Sequence, residues 1–167
     1  MVKFLNSDLR KRICFVFALC WMIVIFSFSA RTAAESTKDS TSIGMLFGQL
    51  FVPAFAEMDP QEQLSFADKI DHPIRKTAHA TEYAVLGFFL AGSYADRKKK
   101  RAALVFVPLA AGAFYAVTDE VHQLFVPGRS CQVTDMLIDS CGVLAGVLAG
   151  LALFLCGRQH EKKKRFD

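Results

Sequence analysis

The sequence predicts an all-α polytopic membrane protein, a four-helix transmembrane bundle with a short amphipathic interfacial helix in its first outer loop. The chain of 167 residues is 53% hydrophobic and only 22% charged, and this apolar excess over soluble domains is concentrated in blocks. Four of the blocks approach the roughly 20 residues that a membrane-spanning helix needs. Clusters of Lys and Arg flank the blocks directly, a pattern that is typical of membrane topology.

The first predicted span is Ile13 to Ala30, which is uncharged and rich in Phe. A cleaved secretory signal peptide is the competing interpretation, because a basic run ending at Arg12 precedes the block and Thr32-Ala33-Ala34 resembles a cleavage site. The apolar regions of signal peptides are only about 7–15 residues long, and this one is longer. We therefore favour an uncleaved membrane anchor.

Three further spans are predicted at Thr77 to Ala95, Ala102 to Phe125 and Val133 to Cys156. The last of these contains two overlapping GxxxG motifs, formed by Gly142, Gly146 and Gly150. In a bilayer, such small residues let two helix backbones approach closely. We therefore expect the fourth span to lie at the centre of the bundle.

The distribution of basic residues predicts the orientation. Lys and Arg are frequent in residues 1–12, in the loop between spans two and three, and in the tail 158–167, whereas the loop Val126 to Gln132 carries Arg129 alone. Because cytoplasmic flanks carry such an excess, both termini are expected in the cytoplasm of a multi-pass cell-membrane protein. These flanks also account for the net charge of +4, so no nucleic-acid partner is expected.

The segment Arg31 to Lys76 is then extracytoplasmic. Its residues Ala34 to Ser42 are polar and are expected to be flexible. Apolar residues recur at helical spacing over residues 43–57, which predicts an amphipathic helix interrupted near Pro53. This helix is expected either along the outer membrane interface or as a lid packed on the bundle.

Polar side chains collect near the outer ends of spans two to four. On each helix they are spaced by three or four residues, so they share one stripe. Counted outward from the cytoplasmic ends, they fall in the outer half of a hydrocarbon core about 30 Å thick. Lipid-facing carboxylates near the centre of a helix are disfavoured by about 2.5–3.5 kcal/mol, so the stripes are expected to face inward and to meet.

An imidazole titrates near neutral pH and a nearby carboxylate can orient it, so this cluster could perform acid–base chemistry. The candidate catalytic residues are His79, Glu82, Asp119, Glu120, His122, Gln123 and Asp139. The candidate ligand-binding residues are Lys76, Tyr83, Arg129 and Asp135, with Arg75 beside Lys76 as a further cation.

The stretch Arg75 to Gly87 resembles the first motif of the VanZ-like membrane proteins. The stretch Thr118 to Arg129, followed by Asp135 and Asp139, resembles the second, and the two motifs occur in the right order. Ala80 stands where the family usually has an aromatic residue, which weakens any expectation of a stacking surface beside His79. The resemblance implies a bacterial cell-envelope protein whose founding member gives low-level resistance to the glycopeptide antibiotic teicoplanin. It does not imply a reaction.

Four functions are compatible with these observations. The favoured hypothesis is a protein of the outer leaflet in which Lys76 and Arg129 hold an anionic headgroup. The second is a membrane-embedded hydrolase or transferase in which His79 or His122 is the general base and a carboxylate orients it. Proton-coupled transport is a further hypothesis. It would require the protein to oligomerise, because no chain of polar residues crosses the four spans.

A metal site is the third hypothesis. His79 with Glu82, and Asp119 with His122, are pairs of ligand-type residues at i,i+3 spacing. The pairs fall short of a full ligand set, and the five cysteines show no CxxC spacing. No metal, disulfide framework or cofactor is therefore expected. The expected partners are membrane lipids, with a lipid-linked cell-wall precursor or a glycopeptide as further candidates, and a homo-oligomer is left open.

Overall fold

The computed structural model of the protein describes residues 7–96 and 98–156, which contain helices and connecting loops but no strand. The segment 1–6 and the basic tail 158–167, both predicted to be cytoplasmic, lie outside the described residues. The elements are α1 (Ser7–Ser29), α2 (Ala33–Phe51), a short 3-10 helix (Phe55–Glu57), α3 (Pro60–Tyr94), α4 (Arg101–Gln123) and α5 (Val133–Leu151), which continues into a π-helical turn (Ala152–Cys156). The all-helical class is therefore as predicted.

Three helices in the described chain are long and apolar enough to cross a membrane: Ser7–Ser29, Arg101–Gln123 and Val133–Leu155. They indicate a membrane protein. The predicted second span lies in α3, which is not among them because its sequence contains His79, Glu82 and a polar first half. The four-span bundle with an interfacial helix thus stays a prediction.

The most extensive contact between helices in the described chain joins α3 and α5. A Cβ atom added at Gly142 would come within 2.3 Å of the Ala80 carbonyl oxygen, and one added at Gly146 within 1.8 Å of the Ala84 oxygen. Only a hydrogen atom fits at these two positions, so the backbones touch there. The GxxxG face of α5 therefore lies at the centre of the bundle, as the sequence suggested.

Helix α1 is an integral part of this core. Ala18 and Ile25 are fully buried against it. The Trp21 indole Nε1 donates a hydrogen bond of 2.8 Å to the Glu82 carbonyl oxygen, and the Tyr115 hydroxyl donates one of 2.7 Å to the Met22 carbonyl oxygen. These contacts join α1 to α3 and α4, and its retention as an uncleaved anchor stays a prediction.

The described basic flanks, at the start of α1 and in the α3–α4 loop, gather at one end of the bundle, which we call the basic end. Lys11 at the start of α1 forms an ion pair of 2.7 Å with Asp96 in the α3–α4 loop. The hydrogen bond from Lys11 lowers the pKa of Asp96 to about 2. Arg10 donates to the Ala95 carbonyl oxygen at 2.5 Å and lies 5.2 Å from the Phe154 ring centre near the end of α5.

The opposite end of the bundle, which we call the site end, brings together the α1–α2 and α4–α5 connections. The Ala33 amide donates a hydrogen bond of 3.2 Å to the Pro127 carbonyl oxygen. Helices α1 and α4 therefore run from the basic end to the site end, and α3 and α5 run back.

Helix α2 differs from the expectation of a flexible segment at Ala34 to Ser42, because it is helical from Ala33 onward. Thr32 caps its first turn, and the Thr32 and Glu35 side chains hydrogen-bond each other's backbone amides reciprocally. The bond from the Thr32 side chain lowers the pKa of Glu35. The capping box stabilises the start of α2, which the polar composition of the segment did not indicate.

The expected helix over residues 43–57 ends earlier, at Phe51. Val52 precedes Pro53 and is extended, as the ring of a following proline favours. Ala54 then adopts a left-handed conformation with φ of 57°, which turns the chain into the 3-10 helix. The interruption predicted near Pro53 is therefore present, and the helix does not resume in α form.

Helix α3 begins well before the expected start at Thr77. Asp59 caps it in a second capping box with Glu62, and the helix passes through Pro73 without a break. Its 35 residues span about 52 Å, which exceeds a hydrocarbon core of about 30 Å. The first half of α3 therefore extends beyond the site end of the bundle.

Helix α2 packs antiparallel on this first half of α3. A Cβ added at Gly44 would meet the Ala67 backbone at 3.1 Å, and Ser40 hydrogen-bonds Asp71. The opposite face of α2 exposes Ile43, Leu46, Phe47, Leu50 and Phe51. The helix is thus amphipathic, and its position along the membrane interface remains a prediction.

Candidate functional site

Polar side chains of α3, α4 and α5 meet at the site end. The Asp119 carboxylate interacts electrostatically with His79, Glu82 and Tyr83, all on α3. Asp139 of α5 interacts in the same way with Asp119 and Glu82. The structure therefore brings five of the sequence-predicted residues into one layer, which we call the acid layer.

Two carboxylates of the acid layer are buried without compensation. Asp119 is 3% exposed and Asp139 is 1% exposed. Within the described residues, neither carboxylate accepts a hydrogen bond of ordinary geometry, and the Tyr83 hydroxyl beside Asp119 and Nδ1 of His79 lack such a bond too. Buried polar groups are normally paired, so this concentration points to a role other than stability.

Two other predicted residues have structural partners. A Glu120 carboxylate oxygen accepts a hydrogen bond of 2.8 Å from the Gln132 amide, which satisfies the backbone at the start of α5. The Gln123 side chain donates one of 2.9 Å to the Ser29 hydroxyl and ties α4 to α1. Through these bonds, Glu120 connects α4 to the start of α5 and Gln123 connects α4 to the end of α1.

His122 of α4 contacts α1. Its ring packs on Phe26 of α1, with 4.4 Å between the ring centres, and Nδ1 is buried without a hydrogen bond in the described chain. Three residues turn a helix by about 300°, so His122 is offset by about 60° from Asp119 on α4. This offset is compatible with neighbouring positions on one helix face, so the expectation that His122 and Asp119 share one stripe stays a prediction.

The cations at the site end differ in their pairing. Lys76 forms an ion pair with Asp135 that links α3 to α5. Arg75 pairs with Asp71 one turn earlier at 2.7 Å, and Arg31 pairs with Asp39 of α2.

Arg129 is held differently. Gly128 has φ of 74°, and the resulting turn directs Arg129 back over the bundle, where its Nε donates a hydrogen bond of 3.2 Å to the Arg31 carbonyl oxygen. In the part of the chain that the structure describes, no carboxylate lies within 4.0 Å of its guanidinium. Burial and the nearby Arg75 lower the pKa of Arg129.

Two cavities meet at these cations. The first, of about 270 Å³, lies between α2 and α3, and its walls include Asp39, Ser40 and Glu82. The second, of about 230 Å³, lies toward α5, and its walls include Lys76, Gln132 and Asp135. His79, Arg75 and Arg129 line both cavities.

Sequence reasoning did not select Arg31 as a site residue. Its guanidinium lines the first cavity. It follows the first span directly, where a basic residue is ordinarily a topology determinant, so the sequence contains no pattern that distinguishes it.

The acid layer does not form a metal site by geometry. Among the residues that the structure describes, no group of three or more His, Cys, Asp or Glu side chains is arranged to hold an ion.

A protein-family model described as VanZ/LLP1 matches residues 14–155 of the chain. No curated protein and no solved structure matches the chain significantly. The matched region begins within α1 and continues through α5, so it includes every residue of the acid layer.

Two neighbouring carboxylates of α5 are expected to respond oppositely to neutralisation. Asp139→Asn removes a buried ionisable carboxyl group that has no hydrogen bond within the described residues, so it should stabilise the protein by about 1–3 kcal/mol. Asp135→Asn breaks the ion pair with Lys76 and should cost up to about 1 kcal/mol. The measurement is the apparent melting temperature in detergent, where the first variant should gain roughly 2–12 °C. A clear loss of stability in Asp139→Asn would show that this carboxylate is structural.

Proposed function

The chain belongs to the VanZ/LLP1 family, and we propose that it is a multi-pass cell-membrane protein that binds an anionic headgroup in the outer leaflet. The ligand is a membrane lipid or a lipid-linked cell-wall precursor. The observation that carries this proposal is Arg129, a half-buried guanidinium without a carboxylate partner in the described chain, at the junction of two cavities.

The proposal includes four spans with both termini in the cytoplasm. The α1 helix ends at the site end, and α4 begins at the basic end near Asp96 and the start of α1. The chain must return between these ends, and α3 is the element that does so. His79 and Glu82 reduce the apolarity of α3, but they line the cavity between helices rather than requiring contact with lipid.

This topology can be tested by cysteine labelling. In a chain whose other accessible cysteines are replaced by Ser, Cys131 in the α4–α5 loop should react with a membrane-impermeant maleimide added to intact cells. Lys99→Cys in the α3–α4 loop, introduced with Cys131 also replaced, should react only after permeabilisation. Labelling of Lys99→Cys in intact cells would contradict the proposed orientation.

The charges and shape of the site fit a phosphate-type group. A guanidinium presents a rigid fork of donors that matches phosphate oxygens. Arg129 and Arg75 both line the two cavities, and His79 supplies a further polar group between them. An anion bound there would relieve the repulsion between the two arginines.

Removing Arg129 should weaken binding of an anionic lipid. A hydrogen bond to a charged group contributes about 1.5–3 kcal/mol, so Arg129→Ala should lower affinity roughly 10- to 150-fold. The measurement is binding of fluorescent phosphatidylglycerol to purified protein in phosphatidylcholine nanodiscs. Arg101→Ala is the matched control, because Arg101 is exposed at the basic end and should leave affinity unchanged.

The same pair of variants extends this test to cells. If headgroup binding contributes to glycopeptide resistance, Arg129→Ala should abolish any protection against teicoplanin while Arg101→Ala retains it, at equal membrane insertion. Equal lipid affinity of wild type and Arg129→Ala would sink the headgroup proposal.

A membrane-embedded hydrolase or transferase acting on a lipid-linked substrate is the second candidate. It is favoured by Nδ1 of His79, which lacks a hydrogen bond in the described chain, in a residue that lines the cavities with Glu82 and Arg129. His79 would take a proton from water or a substrate hydroxyl, and the Asp119 charge would stabilise the imidazolium that forms.

This alternative makes a separate prediction. Cells that express wild type should differ in their lipid profile from cells that express His79→Gln, because the amide cannot accept the proton. His72→Gln is the control, since His72 is exposed at the rim of the second cavity. Identical lipid profiles in wild type and His79→Gln would contradict the enzymatic hypothesis. The headgroup proposal would not be affected by that result, because phosphatidylglycerol binding tests it separately.

A further inference from the structure

A lateral groove of about 620 Å³ runs between α3 and α5 on the side of the bundle. Most of its lining residues are small or apolar, including Ala80 and Ala84 of α3 and Ile138, Cys141 and Ala145 of α5. The groove exists because the glycines of α5 bring the two backbones together while the flanking side chains are too short to fill the space at the edge.

The surface of the groove suits hydrocarbon. Besides Lys76, its polar members are Thr77 and Thr81 of α3, and the Thr81 hydroxyl donates a hydrogen bond of 2.7 Å to the Thr77 carbonyl oxygen. That hydroxyl is therefore satisfied within α3 and does not require water. Cys141 and Ala145 are both exposed in the groove and carry no charge.

The depth of the groove matches one leaflet. From Lys76 to Ala84 the helix rises about 12 Å, which is close to the half-thickness of about 15 Å that one leaflet contributes to the hydrocarbon core. The groove begins at the site end and runs toward the middle of the bundle. A chain lying in it would therefore extend from the outer surface inward.

The groove is continuous with the charged site. Lys76 lines both the groove and the cavity of about 230 Å³ that Arg129 also lines. The ion pair between Lys76 and Asp135 joins α3 to α5 at this junction. A cationic headgroup cavity that opens into an apolar groove complements a molecule with an anionic head and a hydrocarbon chain.

We propose that this groove holds the hydrocarbon chain of the anionic lipid whose headgroup occupies the cavity lined by Lys76 and Arg129. The inference rests on the proposed headgroup function and specifies its ligand as a whole lipid that enters sideways from the outer leaflet. A free anion would leave the groove unused.

Filling the groove tests the inference. Ala145→Trp places an indole where the chain lies, whereas Ala149→Trp places it one turn later on α5 at an exposed position outside the groove. In phosphatidylcholine nanodiscs, Ala145→Trp should bind phosphatidylglycerol about tenfold more weakly, because the chain loses its packing against the helices. Ala149→Trp should bind it like wild type.

A second measurement locates the chain directly. Phosphatidylglycerol with a photoreactive group in its acyl chain should crosslink to groove residues of α3 and α5 in wild type and much less in Ala145→Trp. Even crosslinking over all helices, or unchanged affinity in Ala145→Trp, would overturn the inference. A dimer that Ala145→Trp disrupts, without loss of lipid affinity, would assign the groove to a second copy and overturn it as well.

Failure of the headgroup proposal would look different. If Arg129→Ala binds phosphatidylglycerol normally while Ala145→Trp weakens binding of both phosphatidylglycerol and phosphatidylcholine, the groove binds chains without headgroup selection. Glycerol phosphate can be added as a competitor of phosphatidylglycerol binding. If it competes in wild type and in Ala145→Trp but not in Arg129→Ala, the headgroup proposal is supported independently of the groove.

Discussion

The backbone contact between α3 and α5 determines the arrangement of everything else at the site end. A Cβ added at Gly87 would lie 2.2 Å from the Val143 carbonyl oxygen, just as those at Gly142 and Gly146 would strike α3. Apolar burial hardly drives helix association in a bilayer, so this close packing must supply much of the association energy. It also fixes the register in which the polar stripe of α3 faces Asp135 and Asp139.

That register places acidic side chains in the core, and they differ in whether they have bonding partners. Glu120 accepts a hydrogen bond from the Gln132 amide and Asp135 is paired with Lys76, so both are compensated. Asp119 and Asp139 have no such bonds among the described residues and lie deeper. A carboxylate that is buried at a cost to stability, next to a cavity lined by cations, is the kind of local exception that functional sites retain.

The sequence was most informative where one physical constraint dominated. Uncharged runs predicted α1, α4 and α5 to within a few residues at most ends, and the cost of lipid-facing carboxylates predicted that polar stripes would face inward. The sequence was least informative where contacts between residues distant in sequence determine the local structure. The start of α2 depends on the Thr32 cap and on Ser40 meeting Asp71, and nothing in the local composition reveals the latter. The contact of the His122 ring with Phe26 of α1 is likewise not visible in the motif that His122 shares with Asp119.

The distribution of cations explains why we place Arg129 at the centre of the proposed headgroup site. Arg31 and Arg75 enter the cavity region already neutralised, by Asp39 of α2 and by Asp71. Both of these carboxylates belong to the hairpin that α2 forms with the outer half of α3, and Ser40 joins the hairpin at Asp71. The hairpin therefore cancels two positive charges while it forms one wall of the first cavity. The charge that remains uncompensated at this junction in the described chain comes from the other side, where the Gly128 turn folds Arg129 toward the bundle. An anion attracted into the cavities would thus be drawn to the α4–α5 turn, directly above the acid layer.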